Sequence, residues 1–480
     1  MRLSTLSCAA CATLLAVSTA LAQNNLKQPH LVAPASDSYS RPNGEASPSD
    51  QAAKLTPTSF EDEDKDAAAS TDAGCGCEEP ACGCEASCCC ESSCCCEPSC
   101  GCDSCGGGWG MGDCLGDCCL GDPWTLSSCL TPCCDGPSYG GWVSFGYYNK
   151  NERWSFADGD GLSFNDFPDH FNLDQAWIYV ERVADAGACS ADYGYRFDMM
   201  YGVQAHAAQA FGNDGGTWDI AWDHGVYGWA IPQLYGEVAY GDLSVKVGHF
   251  FTPAGYEVVP ATGNFFYTHT LTHYNSEPFT HTGVLGTYSA SDAVTLYGGW
   301  ALGWDTGFDQ FGGGNIFVGG FSAGMGDDVT FTWITTAGNL GWYTSSEPGW
   351  TNHFVAIADL SENTQWVIQS DVVDTDGSST DNTFDVHTLG LTNYLFYSLN
   401  DCWKLGGRIE WYKSNNYPFD AGPETSFYDV TAGVNYRPHA NFVLRPEIRY
   451  DWTPSADRIN GASPDFYNQW SFSIDGVFTF

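Results

Sequence analysis

Trp470-Ser-Phe-Ser-Ile-Asp-Gly-Val-Phe-Thr-Phe480 ends the chain. Read alternately, it splits in two. Trp470, Phe472, Ile474, Gly476, Phe478 and Phe480 point one way; Ser471, Ser473, Asp475, Val477 and Thr479 point the other. A period of two is the signature of a β-strand with one apolar and one mostly polar face. Its length suits a strand crossing a bilayer at a tilt, roughly 9–11 residues.

The same alternation recurs upstream. In Tyr193-Gly-Tyr-Arg-Phe-Asp-Met-Met-Tyr201, Arg196 and Asp198 oppose an aromatic-rich face. In Trp403-Lys-Leu-Gly-Gly-Arg-Ile-Glu-Trp411 the polar face carries Lys404, Arg408 and Glu410. In Phe442-Val-Leu-Arg-Pro-Glu-Ile-Arg-Tyr-Asp-Trp452 it carries Arg445, Glu447, Arg449 and Asp451. Further candidates start near Trp142, Ala176, Gln233, Leu243, Thr282, Val294, Ile316, Val329, Asn352, Thr364, Phe384 and Phe427. With the terminal strand this predicts an all-β fold of about 16 antiparallel strands, in a range of about 14–18.

Alternation alone does not say which face is outside. A soluble sandwich puts polar residues outward, whereas a membrane barrel puts apolar residues outward and polar ones in the lumen. Three features favour the barrel. The segment from Gly141 onward holds 66 of the 71 aromatics, clustered at strand ends as interfacial girdles would be. The polar faces carry opposite-sign charges, which suits a wet wall. Short turns such as 289–292 alternate with long segments such as 202–231. No later stretch reaches the roughly 18 consecutive apolar residues of a membrane helix, so membrane residence requires a closed barrel. The terminal aromatic strand looks like the assembly signal of bacterial outer-membrane proteins, with Phe480 recognised by the barrel-assembly machinery.

The first part of the chain has a different chemistry. Arg2, the apolar run near Thr13 to Leu21 and Ala20-Leu-Ala22 read as an export leader over residues 1–22. Residues 23–74 are rich in acids, Pro and Ser and read as a disordered linker. Residues 75–137 form a cysteine-rich, low-complexity region, with 19 of the 23 cysteines between 75 and 134. In an exported protein dense cysteine argues disulfides, and runs such as Cys88-Cys89-Cys90 and Cys94-Cys95-Cys96 pair poorly within one small fold. These six are candidates for disulfides or cross-links to other envelope proteins. A tether without defined pairing and thiolate capture of a soft metal remain alternatives, but no regular C-x2-C pair marks a metal site.

The formal charge is −42, from 59 acids against 17 bases. No basic patch exists for nucleic acid. Between Lys246 and Lys404 there is no Lys or Arg, against 16 acids. Acidic loops and a lumen attractive to cations both fit this imbalance.

The stretch Lys246-Val-Gly-His-Phe-Phe-Thr-Pro-Ala-Gly-Tyr-Glu-Val-Val-Pro260, followed by Gly263-Asn-Phe-Phe-Tyr267 and Glu277-Pro-Phe-Thr-His-Thr-Gly283, resembles a planctomycete β-barrel porin family, OmpL-like outer-membrane barrels. The resemblance covers about residues 138–480. It implies a passive diffusion channel in the bacterial outer membrane and no catalytic residues. Planctomycete envelopes are also known for cysteine-rich proteins. General porins are commonly trimers, so a homotrimer is the matching expectation.

Other chemistry is weaker. His269 and His273 would meet on a helix, but their Thr- and aromatic-rich surroundings predict strand or loop, where spacing four separates them by about 13 Å. No metal or cofactor is expected. There is no G-x-S-x-G motif, and His249, His281, His353 and His387 have no evident nucleophile partner, so no enzyme is expected. Trp218, Trp222 and Trp229 could stack on sugars or sit at a membrane interface.

The sequence thus predicts an outer-membrane barrel (138–480) through which small hydrophilic solutes or ions diffuse. The expected pore-lining residues are Arg196, Asp198, Lys246, Lys404, Arg408, Glu410, Arg445, Glu447, Arg449 and Asp451. Mild cation preference is expected from the acid excess, with an inward loop setting the size limit. The rival is a nonconducting envelope or carbohydrate-binding protein, anchored in outer-membrane lipid by its barrel and cross-linked through its cysteines.

Overall fold

Sixteen strands close on themselves in a computed structural model of the chain. It describes residues 120–121, 123–127, 137–149, 164–165, 167–186, 190–212, 216–219, 223–308, 313–341, 348–376, 386–415, 424–453 and 468–480. The expected leader, the linker and most of the cysteine-rich region, including Cys88, Cys89, Cys90, Cys94, Cys95 and Cys96, lie outside the described residues, as does Trp222.

The barrel strands are β1 (Ser138–Tyr148), β2 (Phe171–Arg182), β3 (Ala191–Gly202), β4 (Gly228–Tyr240), β5 (Leu243–Phe251), β6 (Thr280–Ser291), β7 (Val294–Ala301) and β8 (Asn315–Gly324). They continue as β9 (Val329–Asn339), β10 (Pro348–Ser361), β11 (Thr364–Thr375), β12 (Val386–Asn400), β13 (Trp403–Ser414), β14 (Thr425–His439), β15 (Phe442–Trp452) and β16 (Asn468–Thr479). Each pairs antiparallel with its sequence neighbour, and β16 closes onto β1 with Trp142 opposite Thr479 and Tyr148 opposite Ser473. Phe480 then exchanges backbone hydrogen bonds with Gly141, at 2.9 and 3.0 Å. Closure leaves no unpaired sheet edge, a requirement in hydrocarbon, where an unsatisfied backbone group costs several kcal/mol.

Burial along the strands is inverted relative to a soluble sheet. On β16, Trp470 and Phe472 are 55% and 47% exposed, while Ser471, Ser473 and Asp475 are at most 5% exposed. Leu395, Ile409, Ile448, Val247 and Trp300 are likewise exposed, and Arg408, Asp429 and Gln369 are buried. The apolar face is outside, as a membrane barrel requires. Aromatic pairs band both ends of that surface. Tyr428–Trp452 (5.2 Å between centroids) and Tyr450–Trp470 (4.6 Å) lie at one end, and Trp403–Tyr436 (4.4 Å) at the other.

The two ends differ. Turns 241–242, 292–293, 362–363, 401–402 and 440–441 lie at the end where β16 finishes, and long connections, such as 149–170, 203–227 and 252–279, lie at the other. Outer-membrane barrels put short turns on the periplasmic side. Pro446, in the middle of β15, sits where the β14 pairing skips from Gly433–Glu447 to Tyr436–Leu444. A residue with no N–H is tolerated at such an irregularity.

Candidate functional site: the lumen and its inward loop

The longest described connection, 252–279, does not stay at the rim. Its neck is closed by Thr252 N donating to Phe279 O at 2.8 Å. From there it folds against the inner faces of β1, β2 and β11–β16. Most of it is irregular, so its backbone groups need partners inside the barrel. The wall supplies them.

Glu447 accepts from Tyr267 N at 2.9 Å and Thr268 N at 3.1 Å. Glu410 accepts from Leu271 N at 2.9 Å and Thr272 N at 2.7 Å. Arg408 donates to Thr268 O at 2.6 Å, Arg449 to His269 O at 2.6 Å, and Arg445 to the carbonyls of Ala261 and Asn264 at 2.7 Å each. Gln175 donates to Val259 O at 2.6 Å and accepts from Ala261 N at 3.0 Å. Hydrogen bonds to charged partners contribute about 1.5–3 kcal/mol each.

The charges are also paired with one another. Arg445 holds Asp475 at 2.8 Å, Arg449 holds Asp451 at 2.6 Å, and Arg408 holds Glu257 of the loop at 3.0 Å. Glu257 sits between Arg408, His269 and the Tyr394 hydroxyl, which donates to it at 3.0 Å. Burial would raise its pKa, but the Arg408 guanidinium and His269 override burial and hold its carboxyl well below the usual range.

Room for the loop comes from glycine. A Cβ at Gly406 would collide with the Phe265 ring, one at Gly390 with Thr272, and one at Gly146 with Tyr267. A glycine inside a strand often marks such a close approach. At Gly433 the nearest loop atoms belong to Phe266, 3.2 Å from the added carbon.

The histidine expectation is overturned. Leu271–Ser276 is a short helix capped by Thr270, whose hydroxyl accepts from His273 N at 3.1 Å. His269 and His273 therefore stack with centroids 4.8 Å apart instead of standing about 13 Å apart along a strand. Thr at the cap and Glu410 at the first turn outweigh the β-favouring neighbours. Burial lowers both histidines to about 4. His273 Nδ1 meets Glu277 at 2.8 Å, where burial and the nearby Asp371 push the Glu277 carboxyl up. No group of three or more His, Cys, Asp or Glu among the described residues is arranged to hold a metal ion.

The sequence-predicted wall residues therefore fall into sets. Arg408, Glu410, Arg445, Glu447, Arg449 and Asp451 converge under the loop, each at most 6% exposed. They form the seat of the loop and a set of mutual ion pairs. Arg196 bridges Asp198 at 2.7 Å and Glu181 at 3.1 Å on another part of the wall. Lys404 places its ammonium 5.0 Å from the Phe396 ring centroid. Lys246 stands 4.7 Å from the Tyr235 ring centroid. Sequence reasoning missed Glu257, Gln175, Tyr267 and the seat glycines. The usable signals were in-strand glycines on polar faces and the length of the shared motif 246–267.

A second filled region flanks the loop. Trp142 and Trp177 stack at 4.5 Å and pack with Met200, Phe251, Val259 and the short helix Ala205–Ala208. Their indoles donate to Gln175 at 2.7 Å and Asp198 at 2.9 Å. Trp218 packs on His249 and Phe308, with centroids 5.6 and 5.4 Å away, and Trp229 lies 4.8 Å from Tyr201.

Open space lies against β4–β7. There a cavity of about 450 Å³ runs from the turn 241–242 to the root of the loop at Phe251 and Pro253. Glu237, Lys246 and Leu285 cross it in one register row. Lys246 is the basic residue on its lining, and Asp185, Glu237 and Asp242 are the acidic ones.

Similar barrels are known. The anion-selective porin from Comamonas acidovorans matches at 9% identity and a TM-score of 0.49, covering 72% of this chain and 99% of that one. The outer membrane channel DcaP of Acinetobacter baumannii gives the same identity, TM-score and coverage. The trimer form of OmpT, an outer membrane protein of Vibrio cholerae, matches at 11% identity and a TM-score of 0.46, covering 72% of this chain and 99% of that one. No curated protein matches. The family model described as "Putative beta-barrel porin-2, OmpL-like" matches residues 138–480, beginning at the first residue of β1, and the chain belongs to that family.

Proposed function

We propose that the protein is an outer-membrane porin through which small hydrophilic solutes or ions diffuse passively along the β4–β7 flank. The observation that carries this reading is the position of the cavity. It lies beside the inward loop, between its root at Phe251 and Pro253 and a wall bearing Lys246, Glu237 and Thr287, and its lining reaches the short turn 241–242. The ion-paired wall of β13–β16 holds the loop in place, and the loop narrows the lumen. Its pore-lining role is thus indirect, whereas Lys246 faces the path. The protein is exported by its leader, is inserted by the barrel-assembly machinery reading the strand that ends at Phe480, and assembles as a homotrimer. It performs no catalysis.

A second reading has its own observation. The loop and the Trp142–Trp177 cluster pack together inside the barrel, which suits a nonconducting barrel that anchors an envelope or carbohydrate-binding protein. Single-channel recording of detergent-purified native protein in a planar bilayer separates the two. Discrete openings support the porin. Protein shown to be inserted yet silent supports the anchor.

A further inference from the structure

One register row crosses the cavity: Gly194 on β3, Glu237 on β4, Lys246 on β5, Leu285 on β6 and Gly299 on β7. Glycine at both ends leaves three side chains on the row. A carboxylate and an ammonium thus stand directly opposite each other on adjacent strands, where Cβ atoms are about 5 Å apart. The Lys246 ammonium lies 4.7 Å from the ring centroid of Tyr235, two residues before Glu237 on the same strand face.

The next row toward the turn 241–242 lies about 7 Å away along the strands. It carries Ala239, Ser244 and Thr287 before Tyr297. Three short side chains in succession leave room above the charged row. The two ends of this room differ in chemistry. Asp185, Asp242 and Ser289 line it toward the turns, and Leu285, Phe251 and Pro253 line it toward the loop root. Its volume, about 450 Å³, falls within the roughly 300–1,000 Å³ of small-molecule sites. The neighbouring base on β3, Arg196, is held by Asp198 at 2.7 Å and Glu181 at 3.1 Å and does not line the room.

We infer that the Glu237–Lys246 row is a binding subsite for a zwitterionic solute of the α-amino acid class. The solute's ammonium meets Glu237 and its carboxylate meets Lys246. The hydroxyls of Ser244 and Thr287 flank these charges, and an apolar side chain turns toward Leu285, Phe251 and Pro253. A solute with one charge fits less well. Asp185 and Asp242 oppose a free carboxylate on its way in, and Lys246 opposes a free ammonium beside Glu237. A solute bearing both charges on one carbon makes both charge-assisted hydrogen bonds. The subsite rests on the porin reading for the solute's passage, but its occupancy is read at equilibrium. A barrel that is silent in a bilayer and still binds the zwitterion keeps the subsite and loses the pore.

Saturation-transfer NMR on the full chain in lipid nanodiscs, with empty nanodiscs as the blank, compares three probes. L-leucine carries both charges, 4-methylpentanoate lacks the ammonium and 3-methylbutylamine lacks the carboxylate. Leucine is expected to bind at least tenfold more tightly than either of the others. Lys246→Gln should reduce leucine to the affinity of the amine, and Glu237→Gln to that of the carboxylate. Lys404→Gln, whose ammonium lies against Phe396 on β12, should change nothing. No saturable leucine signal from the native protein overturns the subsite. So does a carboxylate or an amine that binds as tightly as leucine, which makes the room a simple anion or cation site. Leucine binding unchanged in both the Lys246→Gln and the Glu237→Gln proteins also overturns it.

Discussion

Glu410 on β13 accepts hydrogen bonds from two consecutive backbone amides of the inward loop, Leu271 N at 2.9 Å and Thr272 N at 2.7 Å. A wall carboxylate thus replaces the partners that an irregular chain lacks inside a barrel. Glu410→Ala strands both donors at a cost of roughly 1–3 kcal/mol each, and Glu410→Gln keeps one acceptor oxygen and should lose less. Hydrogen exchange at Leu271 and Thr272 should accelerate strongly in the alanine variant and modestly in the glutamine variant. Equal protection in all three proteins would remove Glu410 from the docking account.

The glycine seat gives a prediction with a built-in control. Gly406 and Gly407 are adjacent on β13 and face opposite ways. A Cβ at Gly406 meets the Phe265 ring, and one at Gly407 meets nothing within 4 Å. Gly406→Val should push the loop off this wall and into the lumen, lowering conductance and raising current noise. Gly407→Val should leave both unchanged, because its side chain enters the lipid face. Equal behaviour of the two variants would mean the loop does not rest on this wall.

Acid should loosen the loop through His269 and His273. Both are held neutral down to about pH 4 by burial, whereas undocked they would take up protons from about pH 6.5. The undocked state therefore binds more protons between those values, and docking weakens as pH falls from 6.5 to 4. Glu277 acts in the opposite sense. Its raised pKa favours the docked, protonated form at low pH, and that contribution is lost as pH rises through it. With Glu277→Gln removing the opposing effect, loop exchange, corrected for intrinsic rate, should increase from pH 6.5 to 4. Adding His269→Gln and His273→Gln should remove the increase between pH 6.5 and about 5, while below that Glu257, whose carboxyl is held low when docked, loosens the loop further in every variant. A dependence between pH 6.5 and about 5 that survives all three substitutions would assign it elsewhere.

The barrel was legible in the sequence because one physical rule repeats along it. Trp470, Phe472 and Ile448 alternate with Ser471, Ser473 and Arg449, and each of the sixteen expected strands has a counterpart in the closed sheet. The loop was less legible. Its contacts join residues far apart, such as Thr272 and Glu410 or Tyr267 and Glu447, and periodicity reports nothing about such pairs. It misled at His269 and His273, where strand-like neighbours hid a capped helical turn. Alternation put Arg408, Arg445 and Arg449 on the polar strand faces, where they are buried, but it carries no signal that separates a hydrated wall from the seat of a loop.

The last prediction follows from that difference. Lys246 lines the open cavity with Glu237 and Asp242 nearby, whereas Arg445 is 3% exposed and locked to Asp475. A fixed charge biases ion passage where ions approach it within about a Debye length, roughly 8–10 Å, through water. Lys246→Gln should therefore move the reversal potential in a salt gradient toward cations, and Lys246→Glu further. Glu237→Gln should move it the other way. Arg445→Gln leaves Asp475 buried without its partner, and its effect should appear in stability, by about 3–5 kcal/mol, before it appears in selectivity. If Arg445→Gln shifts the reversal potential while Lys246→Gln does not, the conducting path runs along β15 and β16 and not along β4–β7.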